Sequence, residues 1–206
     1  MNSFKNPLVP VIALPVGIDI PIQSLQVKLG TLGWLEKSFG RSWSATRATP
    51  GGRPVVYPEV WQGMVDGKDR DLLNVMPNDN LKSQSFFKVN DPIDTLFYEQ
   101  NNHAKKTALV SIIFWFNLRE IDKTLDYRFV EILKSTAERA IVNHTFPAAS
   151  QASIEIVRTW EDVNNVFAGY TFDPIKQQEL IHPYGGFKID TRLTWTENCP
   201  DPALPI

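Results

Sequence analysis

Residues 106–118 read Lys-Thr-Ala-Leu-Val-Ser-Ile-Ile-Phe-Trp-Phe-Asn-Leu. β-Branched and aromatic side chains dominate, which suits a strand, and the apolar run is nearly continuous rather than alternating. A strand that is apolar on both sides needs cover on both faces. A helix over one face and a neighbouring subunit over the other would supply it. A second stretch complements the first. Phe187, Ile189, Thr191, Leu193 and Trp195 alternate with Lys188, Asp190, Arg192 and Thr194, the pattern of an antiparallel strand with one wet face.

Working outward, the strongest helix pattern spans 126–142, with Phe129, Ile132, Leu133, Thr136, Ala140 and Ile141 along one side. Residues 153–160 read as a strand, 161–181 as one or two short helices, and 182–186 as a turn carrying Gly185-Gly186. Upstream, 20–39 reads as a helix opened by Asp19 and Pro21 and stopped by Gly40. The Ser-, Thr-, Arg- and Gly-rich 41–51 reads as a loop. A short strand near Val55–Tyr57 is cut by Pro58, a polar excursion fills 62–82, and a short strand at 85–89 gives way to a loop at Asp91-Pro92.

Helices and strands do not alternate strictly, so the fold class is α+β: a mostly antiparallel mixed sheet flanked by helices, with extended N- and C-terminal arms. The organisation is an N-terminal arm at 1–17, one α+β domain at 18–196 and a C-terminal tail at 197–206. Both ends are proline-punctuated, with Pro7, Pro10 and Pro15 in the arm and Pro200, Pro202 and Pro205 in the tail, which favours extended backbone. The arm is also apolar: Leu8, Val9, Val11, Ile12, Leu14 and Val16 need a surface to cover.

The bulk chemistry is ordinary for a globular chain: 206 residues, 43% hydrophobic and 21% charged. A formal net charge of -2 argues against a protein that coats nucleic acid or docks on an anionic membrane. The lone Cys199 leaves no internal disulfide and fits a reducing compartment. The longest apolar runs fall far short of the roughly 20 residues that span a bilayer, and the prolines of the first 17 residues spoil a secretion signal.

Chemistry-bearing patterns are weak. G-x-S-x-G, G-x-x-x-x-G-K-[ST] and G-x-G-x-x-G do not occur. His103, His144 and His182 are scattered, and Cys199 has no C-x-x-C partner, so we expect no metal and no cofactor. Asp66, Asp69 and Asp71 alternate with Lys68 and Arg70 as a solvated loop would. Glu161 and Asp162 stand where a short helix would begin. No catalytic residue is expected. Trp43 and Trp61, beside polar loops, are interface candidates together with Leu8, Val9, Val11, Ile12 and Leu14.

The element order, together with Pro183-Tyr184-Gly185-Gly186-Phe187 before the last strand, resembles the tail-terminator or tail-completion proteins of tailed bacteriophages and related neck and connector rings. The resemblance spans residues 18–196. The long proline-rich ends and the polar stretch 62–104 depart from the usual pattern. It implies a wedge-shaped subunit that assembles into a ring between head and tail. The implied partners are copies of itself and neighbouring portal, neck or tail proteins. DNA would pass without specific binding, no membrane is involved, and the location is the virion, assembled in the host cytoplasm. Two other readings compete. One is a non-catalytic module that binds a single partner through an arm. The other is a hydrolase-type enzyme with a carboxylate site near Trp160–Asp162 or in 62–82.

Overall fold

A computed structural model describes residues 10–12, 14–48, 52–61, 64–65, 68–69, 72–77, 81–98, 103–171 and 180–198. The elements are α1 (Asp19–Leu29), β1 (Lys37–Arg47), β2 (Val55–Trp61), β3 (Met64–Val65), β4 (Lys68–Asp69), β5 (Leu72–Asn74), β6 (Ser83–Tyr98) and β7 (His103–Asn117). They continue with α2 (Leu118–Ile121), α3 (Phe129–Val142), a 3-10 turn (Ala148–Ser150), β8 (Ser153–Trp160), α4 (Val163–Val166) and β9 (Tyr184–Asn198). Seven strands form one sheet in the order β5-β2-β1-β6-β7-β9-β8, and β3 and β4 make a separate ribbon. Every pairing in the large sheet is antiparallel except β1 with β6. The expected α+β class, with a mostly antiparallel mixed sheet flanked by helices, is what the chain adopts.

The continuous apolar run lies on β7, paired with β6 on one side and β9 on the other. Its two sets of side chains enter two different cores. Val110, Ile112, Phe114 and Phe116 face α1 and α3 and meet Phe187, Ile189 and Leu193 of β9. Phe114 stacks on Phe187 with ring centroids 4.7 Å apart, and Trp34 closes on Phe116 edge-on at 5.8 Å. On the opposite face, Ile113 and Trp115 pack with Phe39, Val60, Val75, Phe86 and the α4 segment Val166, Phe167 and Tyr170. The chain's own α4 segment supplies the second cover at the level of Ile113 and Trp115. The neighbouring subunit expected there is not required.

β9 keeps the expected alternation. Phe187, Ile189, Thr191, Leu193 and Trp195 are buried, whereas Arg192 is exposed. The strand begins earlier than the turn expected at 182–186. Gly185 and Gly186 are strand residues opposite Phe116 and Trp115. A Cβ on Gly185 would lie 2.4 Å from the Phe116 ring, and one on Gly186 only 2.7 Å from the Phe114 carbonyl oxygen. Close approach, not turn geometry, explains the pair.

Upstream, α1 is shorter than the helix expected over 20–39. Its buried stripe, Ile22, Leu25 and Leu29, ends where Gly30 closes on the Gln26 carbonyl at 2.9 Å. The turns that follow carry Leu32 and Leu35 into the first core, and residues 41–47, expected as loop, belong to β1. That strand tolerates its polar composition because its hydroxyls are bonded. Ser38 donates to the Gln26 carbonyl and Ser42 to the Phe87 carbonyl, each at 2.9 Å. Pro58 lies within β2 opposite Ser44 and does not cut it. β6 runs through Asp91-Pro92 by a register shift between Asn90 and Ile93, which spares the ladder a residue without an N–H. In α3 the buried residues are Leu133, Ala137, Ala140 and Ile141. Ile132, expected inward, is 54% exposed.

Gly186→Ala tests the packing at the β7–β9 seam. Because backbone must move to admit the methyl, we expect a loss of about 1–3 kcal/mol in urea unfolding. An unchanged midpoint would contradict the close approach.

Candidate assembly interface

The arm does not leave the domain at residue 18. Residues 10–12 fold back across α1, where two glutamines one helical turn apart hold them. The Ile12 N–H donates to Gln23 Oε1 at 2.7 Å, and Gln23 Nε2 returns a bond to the Ile12 carbonyl at 3.1 Å. Gln26 is buried and donates through Nε2 to two carbonyls, Pro10 at 2.7 Å and Ser38 at 2.9 Å. One amide thus ties the arm, the helix and β1 together. A proline-rich segment has few donors of its own, so side-chain amides that read its carbonyls are a fitting clamp.

Pro10 and Ile12 close a tight crevice with Asp19, Ile22, Gly40, Arg41 and Trp61. Two of the expected interface residues, Ile12 and Trp61, therefore meet within one chain. Trp43 stands further along β1, 40% exposed, with the Arg41 guanidinium 5.6 Å from its ring centre. Arg41 also approaches Asp19 Oδ1 at 3.8 Å. Burial pushes the Asp19 carboxyl above its usual value, and Arg41 only partly offsets this. Leu8 and Val9 lie outside the described residues.

The outer side of the arm and helix is apolar and uncovered. Leu14 is 84% exposed, Val16 72% and Val27 49%, and Val11 is exposed as well. Val27 and Pro15, the chain neighbour of Leu14 and Val16, line an open groove of about 540 Å³ together with Ile20, Ser24, His144 and Pro147 among others. His144, just past α3, pairs its Nε2 with Ser24 Oγ at 2.9 Å. Burial, with Lys28 nearby, holds the imidazole below its ordinary value. Contiguous exposed apolar surface of this kind marks an association site rather than ordinary solvent-facing helix.

Of the carboxylate candidates, the described Glu161 and Asp162 are engaged separately. Asp162 caps α4, accepting from the Asn164 N–H at 3.1 Å and the Asn165 N–H at 3.3 Å. Glu161 borders a cleft of about 400 Å³ with Tyr127, Arg128, Glu131, His182 and Tyr184. Lys134 bridges Glu131 and Glu161. Burial alone would lower the Lys134 ammonium, but the two carboxylates outweigh it and raise it. Both acids are thereby committed to an ion pair. Asp66 and Asp71 lie outside the described residues, as do the side chain of Asp69 and Cys199. Among the described residues, no group of three His, Cys, Asp or Glu side chains could hold a metal ion, and no helix is long and apolar enough to cross a membrane.

Sequence reading missed one polar cluster. Asp190 accepts from Ser111 Oγ at 2.6 Å and Trp160 Nε1 at 2.7 Å, with Lys188 at 3.8 Å and Arg158 at 3.9 Å. Lys88 lies across the sheet, 4.7 Å from the Tyr170 ring centre and bonded to the Ala168 carbonyl at 2.8 Å. Burial lowers both Lys88 and Lys188. Strands far apart in sequence contribute these residues, so no local pattern could have found them. The Gln23–Gln26 clamp was missed too, although two glutamines at i and i+3 following an apolar, proline-rich arm were a signal for it.

Two outcomes check this geometry. Gln26→Leu leaves the Pro10 and Ser38 carbonyls without their donor and should cost about 1–3 kcal/mol. It should also expose the arm to limited proteolysis; an arm as resistant as in the parent would contradict the clamp. The neutral His144 ring makes stability fall with acid. Its folded value lies below the unfolded value of about 6.5, so its contribution is complete above that pH and declines as pH drops through the lowered folded value. The melting temperature should fall as pH drops below about 6.5, less steeply in His144→Gln, and identical slopes would remove His144 as the cause. No family model matches the chain, and no curated protein matches it.

Proposed function

We propose that the chain is a structural subunit of a tailed-bacteriophage virion, forming part of a neck, connector or tail-completion ring between head and tail. The observation that carries this reading is the apolar outer face of the arm and α1, where Leu14, Val16 and Val27 are exposed and Pro15, Ile20 and Val27 line an open groove. Such a face calls for a protein partner. The rest of the surface favours side-chain contact over strand addition. β8, at one edge of the sheet, is interrupted by a register shift between Ile156 and Arg158 and carries the Glu155–Arg192 ion pair at 2.8 Å. β5, at the other edge, is three residues long. Bulges, charges and shortness all discourage edge pairing. The arm and the α1 groove are unlike surfaces, and contact between unlike surfaces closes into a ring when the rotation permits. A net charge of -2 suits a channel through which DNA moves without adhering.

Native mass spectrometry of the purified chain is the test. We expect a discrete oligomer at a whole-number multiple of 23.4 kDa, and the same chain in particles of the phage that encodes it. A monomer at every concentration, absent from particles, would refute the reading.

A further inference from the structure

We propose that the groove on α1 receives the N-terminal segment, residues 1–9, of a second copy, so that copies join head to tail. This rests on the ring reading above and names the contact that builds the ring. Four observations lead to it.

The groove and the arm's exit lie on different sides of one helix. Ile20, Gln23, Ser24, Val27 and Lys28 of α1 line the groove and Asp19, Ile22, Gln23 and Gln26 the crevice that holds Pro10, so that the two adjoin at Gln23. At 100° per residue the two sets are centred about 120° apart. The chain's own arm passes from Pro15 at the groove to Pro10 at the crevice. Pro10, from which residues 1–9 lead off, is therefore held about 120° round the helix from the centre of its own copy's groove.

The reach is sufficient. Nine residues at the polyproline rise extend about 28 Å, comparable to the diameter of a small domain. The chemistry also matches. Phe4, Pro7, Leu8 and Val9 supply apolar groups for walls made by Pro15, Ile20, Val27 and Pro147. Pro7 brings no N–H that would be left unpaired in an apolar groove. Finally, the anchor is already rigid: the two carbonyls at Pro10 and Ile12 are bonded to Gln26 and Gln23, so the segment departs from a fixed point and less entropy is lost on docking.

The test uses two full-length variants. Leu8→Asp with Val9→Asp disables the arm, and Val27→Glu disables the groove at a side chain that is half exposed. Circular dichroism melts confirm that both fold, and native mass spectrometry reads their assembly. Each variant alone should be monomeric at concentrations at least tenfold above those at which the parent assembles. An equimolar mixture should give a one-to-one pair and stop there, because only one intact arm and one intact groove remain. Rings that persist in both variants would overturn the inference and leave the ring reading standing. Failure of the mixture to pair, or loss of rings only in Leu204→Asp with Ile206→Asp, would also overturn it, the latter by giving the groove to the C-terminal tail. A parent chain that is monomeric throughout would overturn both.

Discussion

A strand buried on both faces governs this fold. β7 places Phe114 and Phe116 in one core and Ile113 and Trp115 in the other, and all four are at most 1% exposed. Neither face of such a strand can be left in water, since each large apolar side chain contributes about 1.5–3 kcal/mol through burial. The helices α1 and α3 are therefore committed to one face and the short α4 segment to the other. β6 and β9 follow, because the strand's backbone groups need ladders on both edges. The sheet's order radiates from that centre, and its weaker strands, β8 and β5, fall at the edges.

This commitment decides what remains outside. The buried face of α1 is used up on the first core, and its opposite face becomes surface. Across α1 and the arm that surface exposes Leu14, Val16 and Val27, and the two glutamines hold residues 10–12 against the helix. The apolar ridge and groove are thus a consequence of how the core is closed. Association through side chains on this face agrees with the short β5 edge and the bulged, charged β8 edge, both of which discourage sheet extension.

How much was legible follows from where each segment's stabilisation comes from. β7, β9, β8 and α3 carry their own patterns, and each emerges close to its expected bounds. β1 does not: Ser38 and Ser42 lie in the sheet because distant carbonyls accept their hydroxyls, and no composition rule anticipates that. β6 passes Asp91-Pro92 by shifting register, and Gly185-Gly186 serves ring and backbone contacts instead of a turn. The same division holds for the site. Ile12 and Trp61 were visible as apolar residues lacking a local partner. The Ser24–His144 contact joins residues 120 positions apart, and the Lys88–Lys188–Asp190 cluster exists only once three strands are aligned. Trp43, Val11 and Leu14 are expected candidates that do not line the arm crevice.

The claim at the centre of this account is that the arm and outer α1 face form a protein–protein contact. Side-chain footprinting with a photoactivated carbene, run below and above the association concentration, addresses it directly. The account predicts that Leu14, Val16 and Val27 become protected on association while exposed Ile132 on α3 keeps its labelling. Equal labelling of the three at both concentrations, in a sample that has demonstrably assembled, would contradict it.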